Sequence, residues 1–294
     1  MRFKGAVFNY LHSRQFNSLS RSSQVNYEYN LNSTCRMTVM GKTVGDIRLD
    51  RINVPLCVEI YDTWEAQSST AYANHKARVF SVVMNHMCML EYITHNPMAR
   101  VKKRKATPRS VVWTHEQVMT FLESAFTKYE WRSIGLIVLM CYEWGQRPVD
   151  IRNLLWDNVD LDQGKVTITQ TKRGSVVELP IPDNLMEMLS EQKKDLDFQP
   201  YVVPHHRPQD RAYRPLMIGQ MTSLLKEVKA HAGLPDELQV GDLRKTAIVQ
   251  MIESGIDHLA IQSVSGHKSV ASLNPYNKFS FKTAKNALDR RQKE

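Results

Sequence analysis

The sequence predicts a mainly α-helical protein with a small antiparallel β-sheet, an α+β fold, divided into two domains. Its 294 residues exceed the about 100–200 residues that are usual for one domain. Apolar residues recur at helical spacing over most of the chain, whereas residues 165–179 alternate with the period of β-strands. With 42% hydrophobic and 23% charged residues, the composition excludes collagen-like and disordered classes.

The first domain, residues 1–98, is predicted to be a small helical bundle. Apolar residues are spaced for one helix over residues 54–64 and for another over residues 71–93, with polar residues between them. Neither stretch alternates as a strand does. We therefore expect helices to pack on helices in this part of the chain.

A basic segment, residues 99–110, follows this domain and carries six basic and no acidic residues. It comes directly after Asn96 and Pro97, a pair that disfavours continuation of a helix. We interpret it as a basic interdomain linker, with a solvated flexible joint as the alternative. The net charge of +9 favours a polyanionic partner. The candidates for contacts with such a partner are Lys102, Lys103, Arg104 and Lys105.

The second domain, residues 111–294, is predicted to mix helices with a hairpin. Thr114 and Gln117 are spaced as a capping box at the start of a helix. Residues 165–171 and 176–179 alternate and are rich in β-branched side chains, with a short Gly-containing turn between them. Helical patterns cover residues 114–126, 131–143, 183–193, 218–231, 242–254 and 256–264.

Several classes of function are excluded or disfavoured by what the sequence lacks. The four cysteines form no C-x-x-C motif and have no histidine at metal-ligand spacing, so neither a zinc site nor a disulfide framework is predicted. The longest apolar run has about ten residues, against the about 20 that cross a bilayer. We expect no metal, no membrane contact, reduced thiols and a cytoplasmic location.

Four short motifs in the second domain carry residues suited to phosphate chemistry. Arg147 lies in Gly-Gln-Arg-Pro at a predicted helix start, with Asp150 three residues on. Arg244 lies in Asp-Leu-Arg-Lys-Thr, and His267 follows a glycine that can end a helix. Tyr276 stands nine residues beyond that histidine. Each motif alone is a weak signal.

Together, and in this order, these motifs resemble the catalytic domain of the tyrosine recombinase (phage integrase) family. The resemblance implies that Arg147 and Arg244 bind the scissile phosphate and that Tyr276 is the nucleophile. It also implies that Lys172, in the predicted hairpin turn, protonates the leaving oxygen and that His267 contacts the phosphate or positions the tyrosine. The helical first domain is similar to the family's core-binding domain.

One position departs from the family pattern. The family has a histidine three residues before the second arginine, whereas this chain has Gly241 there. A glycine supplies no imidazole, so the contact is missing or comes from another group, for which Lys245 and His231 are the candidates. Asp150 is expected to hold the basic groups of the site in place.

The resemblance implies site-specific recombination of double-stranded DNA through a 3′-phosphotyrosine, without a cofactor. The expected role is integration and excision of a phage or other mobile element, by a homotetramer on paired DNA sites, with accessory DNA-bending or directionality proteins as further partners. The alternatives are a chromosome-dimer resolvase and a catalytically silenced DNA-binding protein. A metal-dependent nuclease is disfavoured because no carboxylate or histidine cluster has ligand spacing.

Two further expectations concern the ends of the chain. Helical patterning is already present by Ser20, which leaves little room for an additional DNA-binding domain ahead of the first one. Residues 281–291 have apolar positions spaced for one face of a helix. This segment is predicted to dock on a neighbouring protomer, with packing on its own domain as the alternative.

Overall fold

The computed structural model describes residues 1–172, 174–205 and 213–276, together with residues 285, 288 and 289. The chain divides into two compact units, Met1–Arg109 and Ser110–Glu294. The segment predicted to dock on a neighbour, residues 281–291, lies outside the described residues except at those three positions. Within the described residues, no helix is long and apolar enough to cross a membrane.

The first unit is helical, with one very short hairpin. Its helices are α1 (Phe3–Leu11), α2 (Arg14–Asn17), α3 (Arg21–Arg36), α4 (Val54–Gln67) and α5 (Thr70–Met89), and its antiparallel strands are β1 (Thr38–Val39) and β2 (Lys42–Thr43). The two helices predicted from periodicity are α4 and α5. The hairpin was not predicted, because strands of two residues are too short to show an alternating pattern.

Helix-capping side chains and an aromatic cluster define this unit. Asn53 and Ser69 accept hydrogen bonds from backbone N–H groups in the first turns of α4 and α5. The core contains Phe80, which stacks on Phe3 at 4.7 Å between ring centroids and meets the edge of Trp64 at 6.0 Å. Burial of these large rings provides much of the hydrophobic stabilisation of the bundle.

A short 3₁₀ helix, Pro97–Arg100, leads into the basic segment, and residues 102–114 contain no helix or strand. Arg104 is nonetheless attached to the first unit. Its backbone N–H donates to the Tyr61 hydroxyl at 3.0 Å, and its carbonyl accepts from the Asn74 side chain at 2.9 Å. Its guanidinium pairs with Asp62 at 3.2 Å and also with Glu65. This part of the linker is therefore fixed on α4 and α5.

The second unit combines seven described helices with a three-stranded antiparallel sheet. The helices are α6 (His115–Ala125), α7 (Tyr129–Trp144), α8 (Pro148–Arg152), α9 (Asp183–Leu196), α10 (Ile218–His231), α11 (Val240–Glu253) and α12 (His258–Ser265), and a 3₁₀ helix follows over Val270–Tyr276. The strands are β3 (Val159–Asp160), β4 (Lys165–Thr169) and β5 (Val176–Pro180), in the order β3-β4-β5.

The core of the second unit is built around α7, which is buried along nearly its whole length and packs on α6 and α11. The hairpin closes one side, with Val166 paired to Leu179 and both side chains buried. The capping box of Thr114 and Gln117 is present at the start of α6, as predicted. Strand β3 was not predicted, since it has only two residues.

Candidate active site

Arg147 is placed by the junction between two helices. It is the residue before α8, and Pro148 opens that helix, where a missing backbone N–H has no cost. The Arg147 side chain is only 20% exposed. Its Nη1 donates to the Gln170 Oε1 at 3.1 Å and lies 3.6 Å from the Asp150 Oδ2. The guanidinium is thus oriented by one hydrogen bond and one ion pair, to groups on different elements.

Asp150 connects α8 to the end of β4. Its Oδ1 accepts one hydrogen bond from the Thr171 backbone N–H at 2.8 Å and another from the Thr171 hydroxyl at 2.6 Å. Its Oδ2 faces Arg147, and the carboxylate is fully buried. A buried carboxylate with these partners contacts both the arginine and the start of the hairpin turn.

Arg244 reaches the same region from α11 and is almost completely buried. Its Nη1 donates to the Gly145 carbonyl at 3.1 Å and lies 3.5 Å from the Gln146 Oε1. Its Nη2 donates to the Ser265 carbonyl at 2.7 Å. The acceptors are neutral, so the positive charge of the guanidinium is not cancelled by them.

Burial is the main cause of an unusual pKa at Arg244. Desolvation, and secondly the neighbouring charge of Arg147, lower the pKa of Arg244 from 12.5 to about 10, while contacts with Tyr276 and Asp150 oppose this fall. The protein therefore holds two guanidinium groups close together at an energetic cost. An anion bound between them would relieve that cost.

His267 follows Gly266, which ends α12 in the left-handed conformation with φ of 68°. The His267 Nδ1 lies 2.7 Å from the Ser265 hydroxyl, and its backbone carbonyl accepts from the Gln262 side chain at 2.9 Å. Both ring nitrogens lie 3.5 Å from the Arg244 Nη2. The imidazole is thus fixed against the second arginine.

Tyr276 stands at the end of the 3₁₀ helix and is half-buried. Its ring meets the edge of the His267 ring at a centroid distance of 5.8 Å. It also packs against a small cluster formed by Ile248, Ile261 and Leu273. The phenol is thus held beside the histidine and Arg244.

Lys172 differs from the other candidates because its side chain is exposed, in the turn between β4 and β5. The preceding residue, Thr171, is bonded to Asp150, so the start of the turn is attached to the site. Within the described part of the chain, the Lys172 ammonium makes no hydrogen bond or ion pair with the acidic or carbonyl groups of the site. The structure therefore leaves Lys172 at the edge of the site. It brings together the other predicted residues as one polar cluster: Arg147, Asp150, Arg244, His267 and Tyr276.

Gly241 lies in the first turn of α11, three residues before Arg244, and is exposed. A Cβ added there would meet no atom within 4 Å, so packing does not require a glycine. His231, one candidate substitute for the missing imidazole, is instead bound to the Ser124 hydroxyl and packs against Trp131.

Two glutamines in the cluster were not predicted. Gln146 and Gln170 are completely buried and lie among the arginines. Gln146 immediately precedes Arg147, and Gln170 comes two residues before Lys172. Their adjacency to the motifs was the only available signal, because neither hydrophobic periodicity nor charge singles out a buried amide.

The candidate polyanion-binding residues of the linker divide into two groups. Lys102, Lys103 and Lys105 are exposed. Arg104 is paired with two carboxylates, as described above, and would have to leave them to contact a phosphate. Among the described residues, no cluster of histidine, cysteine, aspartate or glutamate could hold a metal ion.

Comparison with solved structures supports the predicted fold class. A lambda integrase fragment, described as a dimer bound to a COC′ core site, matches with a TM-score of 0.76 and 17% identity over 96% of this chain and 100% of that one. The integrase of transposon Tn1549, in complex with transposon right-end DNA, matches with a TM-score of 0.77 and 13% identity over 99% of each chain. The α+β fold predicted from the sequence is confirmed.

Comparison with protein sequences gives the family. The tyrosine recombinase XerA of Pyrococcus furiosus is 29% identical over 187 residues, which are 63% of each chain. XerA of Thermococcus kodakarensis is 28% identical over 158 residues, 53% of this chain and 54% of that one. This chain therefore spans less than two thirds of the length of these relatives. The model of the phage integrase family matches residues 112–283, more than half of the chain. The chain belongs to the phage integrase family of tyrosine recombinases.

Proposed function

We propose that the protein cuts and rejoins double-stranded DNA through a covalent 3′-phosphotyrosine at Tyr276. The observation that carries this proposal is the convergence of Tyr276 with Arg147, Arg244 and His267. Arg147 lies at the start of α8 and Arg244 in α11. His267 follows the end of α12, and Tyr276 ends the 3₁₀ helix after it. A phenol beside two oriented guanidinium groups is suited to attack on a phosphodiester.

The proposed first step is an in-line displacement at phosphorus. The Tyr276 oxygen forms a bond to the phosphorus while the phenol proton passes to solvent, because a protonated tyrosine is a poor nucleophile at neutral pH. The bond from phosphorus to the 5′-oxygen breaks. Lys172 donates a proton to that oxygen and releases a 5′-hydroxyl strand. This role is supported by the exposure of the Lys172 side chain in the hairpin turn.

The two arginines stabilise the charge that develops on the non-bridging oxygens. Planar guanidinium groups can each donate two parallel hydrogen bonds to a phosphate, and their orientation is already set by protein acceptors. His267, fixed by the Ser265 hydroxyl, can donate a further hydrogen bond or position the tyrosine. Asp150 keeps Arg147 and the hairpin in register.

The phosphotyrosine conserves the energy of the broken bond. A 5′-hydroxyl from a second DNA strand can therefore attack it and reverse the step without a nucleotide cofactor. Exchange of strands between two duplexes requires several active sites. We propose a homotetramer on paired DNA sites, which is supported by a lambda integrase relative described as a tetramer bound to a Holliday junction, with a TM-score of 0.75.

For the biological role, we propose integration and excision of a mobile element. This is supported by the likeness in fold to the integrases of phage lambda and transposon Tn1549. The first unit would bind DNA as a core-binding domain, and Lys102, Lys103 and Lys105 would contact phosphates. A second candidate function, a silenced DNA-binding protein, is motivated by Gly241, which supplies no imidazole to the site.

Nicked suicide duplexes that cover the DNA flanking the gene separate these two functions. Wild type, Tyr276→Phe and Gly241→His would each be incubated with them in EDTA and analysed on denaturing gels for a covalent protein–DNA band. The proposal requires an adduct from wild type that is absent from Tyr276→Phe. If wild type binds the duplex and only Gly241→His forms the adduct, the chain is a silenced recombinase.

A further inference from the structure

We propose that Gln170, acting through Gln146, is a positioning residue that sets the spacing of Arg147 and Arg244 without adding a negative charge beside them. This inference rests on the proposed function, since it assigns a role within the same site. Neither glutamine needs to touch the DNA. Their effect would be transmitted through the arginines.

Gln170 occupies the centre of the cluster, directly after β4, and is completely buried. Its Oε1 accepts the hydrogen bond from the Arg147 Nη1 at 3.1 Å. Its Nε2 donates both of its hydrogens, one to the Gln146 Oε1 at 2.7 Å and one to the Ser265 carbonyl at 2.8 Å. These bonds on both ends of the amide allow only one orientation of the side chain.

Gln146 extends this connection to the second arginine. Its Oε1 accepts from Gln170 and lies 3.5 Å from the Arg244 Nη1. Its Nε2 donates to the Trp144 carbonyl at 3.0 Å and to the Val264 carbonyl at 2.6 Å. The side chains of Arg147, Gln170, Gln146 and Arg244 therefore form one continuous chain of polar contacts.

The Ser265 carbonyl ties this chain to the end of α12. It accepts from the Gln170 Nε2 at 2.8 Å and from the Arg244 Nη2 at 2.7 Å. Gly266, the next residue, leaves room for the amide, because a Cβ there would lie 2.5 Å from the Gln170 Nε2. His267 follows immediately, so the same contacts also set the position from which the imidazole projects.

The glutamine side chain is uncharged, which suits it to orient an arginine in this site. Two guanidinium groups repel each other, and Arg147 contributes to the lowered pKa of Arg244. A carboxylate at position 170 would hold Arg147 but would also neutralise part of the charge that the phosphate must meet. An amide oxygen accepts the same hydrogen bond without a charge. The glutamine thus orients the arginine and preserves its electrostatic effect on the transition state.

The test compares three variants in the suicide-duplex assay. Gln170→Met removes the acceptor and both N–H donors at similar volume. Gln170→Glu also removes the donors but keeps an acceptor for Arg147 and adds a negative charge. Gln192→Met is the matched control, because Gln192 is also a completely buried amide of the second unit, bonded to the Val202 carbonyl. Each rate of adduct formation is measured on a phosphodiester and on a methylphosphonate, which lacks one negative charge at the scissile position.

We expect Gln170→Met and Gln170→Glu to form the adduct about tenfold to a hundredfold more slowly than wild type on the phosphodiester. Affinity for the uncut duplex and a cooperative unfolding transition are measured to show that each variant is folded. Gln192→Met should form the adduct at the wild-type rate. The methylphosphonate substrate tests the effect of the negative charge that Gln170→Glu adds. The loss in Gln170→Glu should shrink on the methylphosphonate, whereas the loss in Gln170→Met should persist.

The outcomes separate the inference from the function on which it rests. If wild type forms an adduct and both Gln170 variants match its rate, the inference is wrong and the proposed function stands. An equal loss in Gln170→Glu on both substrates would also overturn it, because the residue would then be only structural. Absence of an adduct from wild type would overturn the proposed function and the inference with it.

Discussion

Substitution of Gly266 by alanine should destabilise the second unit and slow cleavage. Gly266 has two separate constraints. Its φ of 68° is a conformation that side chains with a Cβ rarely adopt, and a Cβ at this position would lie 2.5 Å from the Gln170 Nε2 and 2.9 Å from its Cδ. The amide of Gln170 would therefore have to move away from Gln146 and from the Ser265 carbonyl.

These contributions can be summed. The left-handed conformation costs an L-residue about 1–2 kcal/mol. Displacement of the amide weakens its three hydrogen bonds, to Gln146, to the Ser265 carbonyl and to Arg147, each contributing about 1 kcal/mol. We expect Gly266→Ala to lower the free energy of unfolding by about 4–5 kcal/mol. Because Arg147 loses its acceptor on Gln170 at the same time, adduct formation should slow by about tenfold or more.

Gly233→Ala is the matched control for the backbone contribution. Gly233 has a φ of 66° just after α10, and a Cβ there would meet no atom within 4 Å. Only the about 1–2 kcal/mol of backbone strain should appear in this variant, with no change in adduct formation. Urea denaturation followed by tryptophan fluorescence measures both variants, since Trp113, Trp131 and Trp144 lie in the second unit. Equal losses of stability in the two variants would refute the proposed contact with Gln170.

Two substitutions and one labelling experiment test other parts of the structure. Asp150→Asn should lower the free energy of unfolding by about 2 kcal/mol in urea denaturation, because a buried charged acceptor is lost beside Arg147. Glu65→Gln should release Arg104 from one ion pair. In a binding titration, the slope of log affinity for DNA against log salt should then steepen by up to about 0.9. An unchanged slope would show that Arg104 does not reach a phosphate. Burial raises the pKa of the Cys35 thiol from 9.0 to about 11. Because less thiolate is present, iodoacetamide should modify this thiol at pH 8 at least about tenfold more slowly than a free thiol, as measured by mass spectrometry.

The sequence predicted the longer elements of the fold because their signals are local. The capping box at Thr114 and the apolar periodicity of α4, α5 and α10 each lie within a short window. Strands β1, β2 and β3 have two residues each, which is too few to display a period of two. Strands β1 and β2 pair with each other across a two-residue turn, and β3 pairs with the start of β4, but each pairing involves only two residues of each strand.

The candidate site shows the same division. The motif order located Arg147, Arg244, His267 and Tyr276, because the family resemblance depends on residue types at particular positions. The hydrogen bonds that orient these residues could not be predicted in the same way. The contact between the Arg244 side chain and the Gly145 carbonyl joins residues 99 positions apart, and a carbonyl acceptor is present at every residue. Only the folded chain selects which carbonyl is used.

The structure also indicates how much ordering the proposed reaction requires. The orientations of Arg147 and Arg244 are fixed by hydrogen bonds to buried protein groups, so the entropy of holding them is lost during folding and not when DNA binds. Lys172 is exposed, but Thr171 before it is held by two hydrogen bonds to Asp150. In the proposed reaction, DNA binding therefore has to order the exposed Lys172 side chain, at up to about 2 kcal/mol, while the residue before it is already held by the protein.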